Sequence, residues 1–211
     1  MGIFNFLKGS KRDINEESLH EENWTAYLST IEDSHVGSIM VDMGLRDLAP
    51  IAGLGQLLII EIPMCNARED GLPADGEFET LSDIEESFHL NLTSSIRCAF
   101  AGHLYCESTA SLYFYVGSDI DLEELLRKSI QSFSDYTFNH RLKPDPEWEA
   151  YFDFLYPSPI QMQRIGNDTV IQSLLKHGDN LESERRPPSH PRRGAEFCIP
   201  WRVEASGLLH R

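Results

Sequence analysis

Residues 56–64 read QLLIIEIPM, a near-continuous apolar run that stops at a proline. Such a run is what the central strand of a buried sheet requires, and it fixes the elements around it. The loop AREDGLPADGEFET follows, with Asp70-Gly71 and Pro73 supplying turn chemistry. SDIE at Ser82–Glu85 has the form of a capping box. It predicts a helix opening at Ser82, with Leu81, Ile84, Phe88 and Leu92 recurring at helical spacing. IRCAFAGHLYCES and ASLYFYVG are strand-like, and DLEELLRKSIQSF, capped by Ser118 or Asp119, predicts a second helix with Leu122, Leu125, Leu126 and Ile130 on one face. DYTFNHRLKP closes the series as a strand, stopped by Pro144 and Pro146. The order strand, helix, strand, strand, helix, strand predicts an α+β fold of the ferredoxin-like split βαβ kind, an antiparallel sheet with two helices on one face.

Ahead of this unit, WTAYLSTIE and HVGSIMVDMGL alternate and are split by Asp33-Ser34. They predict an N-terminal hairpin that extends the sheet or packs beside it. Behind it, Pro144-Asp145-Pro146 predicts a domain boundary. Residues 159–178 fit one helix, or two broken near Gly166-Asn167, with Val170, Ile171, Leu174 and Leu175 as the apolar face and Gly178 at the C-terminal end. The expected organisation is therefore a partly disordered lead-in (1–22), an α+β domain (23–143), a partial helical segment (144–184) and an irregular Arg/Pro-rich tail (185–211).

The formal charge is −16, and residues 183–211 carry six Arg against three acidic residues, so the preceding 182 residues hold a net charge of −19. A body this acidic disfavours direct nucleic-acid binding and anionic membranes, and favours solubility and basic protein partners. No apolar run approaches the roughly 20 residues of a membrane helix. MGIFNFLKGSKR matches neither a signal peptide nor a myristoylation site. Four cysteines without a CxxC pair suit reduced thiols in a cytoplasmic protein.

No phosphate-binding glycine loop, HExxH, close histidine pair or GxSxG elbow occurs, so no catalytic residue, metal site or cofactor is expected. Cys98, His103 and Cys106 lie close in sequence. On a regular strand Cys98 and Cys106 share a parity that His103 lacks, which favours buried small side chains over a thiol or metal site. Asp70, Asp75 and Glu77 bracket the Gly-Pro loop as candidate binding carboxylates, weighed against plain solvated turn acids. Glu85-Glu86 and Glu123-Glu124 are adjacent on helices, so they do not share a face and are expected to be solvent-facing charge. His35 and His140 are expected at the surface or a sheet edge, and Trp24, Trp148, Tyr151 and Tyr156 as core anchors.

Residues 24–142 resemble the bacterial domain-of-unknown-function family 695. The resemblance is carried by W-x-x-Y (Trp24, Tyr27), the DGLP turn (Asp70–Pro73), L-x-x-I-E (Leu81–Glu85) and the aromatic strand Leu112–Tyr115. It implies a fold and no activity. Residues 146–185 resemble the start of a regulator of ribonuclease E activity B domain, through Trp148, Tyr151, Leu155–Pro157, Asn167, Gly178-Asp179 and Arg185. That resemblance implies a non-enzymatic regulator acting through protein–protein contacts, with a ribonuclease or another basic protein as partner. An acidic immunity- or antitoxin-like binder and a carboxylate-based enzyme are the alternatives. After Arg185 the pattern is lost; Pro187, Pro188 and Pro191 stand where a strand is due, which reads as a shifted frame in preference to a disordered tail used for contacts.

Overall fold

The hydrophobic pattern resolves into one six-stranded antiparallel sheet with the order β1-β2-β4-β5-β3-β6. The computed structural model describes residues 20–32, 34–118 and 121–167. The chain divides into two compact units, Met1–Ile165 and Gly166–Arg211, and the sheet belongs to the first. Its strands are β1 (Trp24–Ile31), β2 (His35–Asp42), β3 (Gln56–Pro63), β4 (Cys98–Cys106), β5 (Thr109–Val116) and β6 (Asn139–Pro144). Against one face of the sheet lie the helices α1 (Glu77–Ser95) and α2 (Glu123–Ile130), and a 3-10 turn spans Met43–Asp47 and a π-helical turn Ala150–Leu155.

The QLLIIEIP strand is central as expected, paired with β5 on one side and β6 on the other. The N-terminal hairpin extends the sheet through β2, which pairs with β4. Because strand side chains alternate between faces, β3 serves two separate cores. Leu58, Ile60 and Ile62 meet Leu81, Ile84, Phe88 and Leu92 of α1 and Leu126 of α2. Leu57 and Ile59 meet Trp148, Tyr151 and Leu155 on the opposite face. Residues beyond the Pro-Asp-Pro element therefore return to the sheet and cover the face that the helices leave open.

Asp145 makes that return possible. Its carboxylate accepts the Tyr115 hydroxyl (2.7 Å) and the amides of Glu149 (2.8 Å) and Ala150 (3.1 Å), while its own amide donates to Gly55 O. The carboxylate thus satisfies the first amides of the Ala150–Leu155 turn from outside it, from a position between two prolines that prevent the strand from continuing. Trp148 then stacks on Tyr115 (3.7 Å between centroids, 4° between planes) and donates its indole N–H to Leu54 O at 2.8 Å.

Two local expectations change. The first helix begins at Glu77, five residues ahead of Ser82, with Gly76 at φ 83° as its N-cap, so SDIE lies inside the helix and is not a capping box. The second helix starts at Glu123, where Asp121 Oδ1 accepts the Glu123 amide at 3.2 Å. Residues 159–167 are helical. The apolar face at Val170–Leu175, Gly178, the tail from Arg185 and most of the lead-in lie outside the described residues.

A bulge between Phe100 and Gly102 shifts the register of β4 against β5. Gly102 sits at φ +148°, and a Cβ there would stand 2.1 Å from Met40 O. Gly102→Ala is therefore expected to cost about 2–3 kcal/mol through backbone strain and loosened β2–β4 pairing, read as a lower urea midpoint.

Candidate functional site

The bulge inverts the side-chain parity expected for Cys98, His103 and Cys106. Beyond it, His103 and Tyr105 join Cys98 and Phe100 on the helix-facing side, while Ala101, Leu104 and Cys106 face the other way. The three residues are still not brought together, but the odd one out is Cys106, not His103. Burial pushes the Cys106 thiol up, with Glu107 adding to the effect, so the thiol stays protonated near neutral pH and is a poor nucleophile.

His103 Nδ1 hydrogen-bonds Glu85 Oε2, and its ring stacks on Tyr105 at 4.2 Å. Glu85 is thus not solvent-facing charge, since its side chain is only 13% exposed. Glu86, Glu123 and Glu124 are exposed as expected. His103→Leu strands the Glu85 carboxylate and is expected to cost about 1–3 kcal/mol. The Glu85→Leu/His103→Leu double variant should recover most of that loss in a urea denaturation cycle.

The three candidate carboxylates find separate partners. Asp70 pairs with Arg68 and accepts the Leu72 amide, which makes it a turn residue. Asp75 is exposed. Glu77 is 5% exposed, and its oxygens accept the amides of Cys65 (2.9 Å) and Asn66 (3.1 Å) and the Tyr136 hydroxyl (3.0 Å). Burial and then this carboxylate push the Tyr136 phenol up to about 12. Glu77 therefore tethers the 65–66 loop and Tyr136 to the first turn of α1, where the helix dipole favours an acid. Among the described residues, no group of three or more His, Cys, Asp or Glu is placed to hold a metal ion.

A groove of about 1200 Å³ lies on the sheet face opposite α1 and α2. The strands build it by changing character halfway. On that face β3 runs Leu57, Ile59, Glu61 and β5 runs Tyr115, Tyr113, Ser111, Thr109. The apolar half lies under Trp148–Leu155. The half around Ser111, Thr109 and Glu61 is open, walled by Ser29 and Ile31 of β1 and by Phe154, Tyr156 and Met162. Gln161 ties the second wall to the first through Ser29 Oγ at 2.9 Å. Arg141 pairs with Glu61 at 2.8 Å, and Arg46 lies over the Tyr156 ring at 4.9 Å. The break in parity from aliphatic to hydroxyl and acid at positions 61, 111 and 109 was the available signal for this groove.

The model of a family of unknown function, DUF695, matches residues 22–156. The chain belongs to that family. No curated protein and no solved structure matches it. The DUF695 span runs past residue 142 and takes in Asp145, Trp148, Tyr151 and Tyr156. These are the residues that cover the apolar half of the sheet face and bound the groove, so the DUF695 region includes both walls as far as Tyr156. No helix among the described residues is long and apolar enough to cross a membrane.

Proposed function

We propose that this chain is a non-catalytic cytoplasmic binding protein that regulates a protein partner through the open half of its sheet face. The observation that carries the reading is the contrast between buried polar groups and groove. Asp42, Glu77, His103 and Asp145 each hold backbone or side-chain partners within the fold. The groove is larger than the ~300–1,000 Å³ pockets that enclose small ligands, and its half-polar floor suits a polypeptide better than a small substrate. The strand order β6-β3-β5-β4 with α1 and α2 as crossovers supports reading this part as ferredoxin-like.

A ribonuclease is the narrower partner implied by the resemblance over 146–185. The Trp148, Tyr151 and Leu155–Pro157 residues that begin it have a fold role in this chain, so the proposal rests on the groove and not on them. The net acidity supports a basic partner, whether a ribonuclease or a toxin. Affinity capture from source-cell lysate with the wild type, Ser111→Trp and the helix-face control Glu86→Lys tests the reading. A partner retained by the control and lost by Ser111→Trp supports it; identical captures by all three contradict it.

A further inference from the structure

The charges around the groove are not balanced. Glu32, Glu61, Glu107 and Asp153 line it against Arg46 and Arg141. Both arginines are already engaged: Arg141 donates to Glu61 at 2.8 Å, and Arg46 donates to the Tyr156 hydroxyl at 3.1 Å while lying over its ring. Glu107 faces the exposed His35 at 3.3 Å, and Glu32 and Asp153 are exposed. What meets an incoming group is therefore carboxylate around a floor of Leu104, Tyr113 and strand hydroxyls.

We infer that the groove takes an extended segment of a protein partner in which Lys or Arg alternates with apolar residues. This rests on the groove being the binding surface. Alternation follows from the shape. Successive side chains of an extended segment point to opposite sides, so one set can reach the exposed Phe154 and Met162 on the rim while the other meets the acids. The Ser29, Thr109 and Ser111 hydroxyls on the groove surface are hydrogen-bonding groups within reach of such a segment's backbone. Among the described lining residues four carboxylates face two arginines, an excess of negative charge that disfavours phosphate- or acid-bearing occupants.

Selection of a random dodecapeptide display library on the immobilised full chain, with parallel selection on Ser111→Trp, tests this directly. Enriched peptides should alternate Lys or Arg with apolar residues and disappear from the Ser111→Trp selection. By fluorescence polarisation they should bind Glu32→Lys/Asp153→Lys about tenfold more weakly, leave Glu86→Lys unaffected and weaken as salt rises. Groove-dependent peptides without Lys or Arg would overturn this inference and leave the binding-surface reading standing. Peptides indifferent to Ser111→Trp, or no enrichment on the wild type, would overturn both.

Discussion

Trp148→Ala is expected to lower the stability of the whole sheet by about 3–5 kcal/mol, the range for deleting a fully buried large aromatic. Trp148 is 0% exposed and lies flat on Tyr115, itself in β5. Removing the indole opens a cavity between the sheet and the Ala150–Leu155 turn and deprives Leu54 O of its donor. Against a total stability of ~5–15 kcal/mol for a domain, that loss leaves the fold marginal or unfolded. Urea denaturation followed by far-UV circular dichroism reads it. A variant whose sheet unfolds at the wild-type midpoint would mean that the segment after Pro146 is an appendage and not the second layer.

Alkaline unfolding is the second large effect. Tyr27, Tyr105, Tyr113, Tyr115 and Tyr151 are all 9% exposed or less. Burial pushes Tyr27 and Tyr113 up to about 12 and carries the other three higher still, helped by Glu85 at Tyr105, the Asp145 hydrogen bond at Tyr115 and Asp42 at Tyr151. In the unfolded chain these phenols ionise near 10, so above that pH the unfolded state binds fewer protons and stability falls as pH rises. Each phenol contributes a loss of about 1.4 kcal/mol per pH unit until its folded value is reached. Five together lose on the order of 7 kcal/mol per unit, comparable with the total stability of a domain. Phenolate absorbance and loss of circular dichroism should therefore rise together in one transition about one unit above pH 10. Gradual ionisation near 10 with the dichroism unchanged would contradict the burial of these rings.

The parts of the fold set by periodicity were legible in the sequence. The Leu81, Ile84, Phe88, Leu92 stripe is buried as its spacing requires, and the central β3 run and the N-terminal hairpin pair as their patterns imply. The parts set by single residues with distant partners were not. The start of α1 depends on Gly76 at positive φ and on Glu77 gripping amides eleven and twelve residues earlier, which a local capping motif could not reveal. The β4 bulge depends on Gly102 passing close to Met40, and it reverses every parity inference made across it. Asp145 between two prolines reads as a boundary, because its partners, Tyr115 and the amides ahead of it, become visible only in three dimensions. Glu85 neighbours Ile84 at the margin of the apolar stripe, and only the position of His103 decides that it turns inward.

The proposed binding surface is the open half of the sheet face, while the buried Asp42, Glu77, His103 and Asp145 hold partners within the fold. Amide chemical-shift mapping on the nitrogen-15-labelled full chain, titrated with a groove-selected basic–apolar peptide, separates these roles residue by residue. Shifts should concentrate at residues 29–32, 104–113 and 152–162, with α1 and α2 quiet. Shifts concentrated on the exposed faces of α1 and α2, with the groove unmoved, would contradict the assignment.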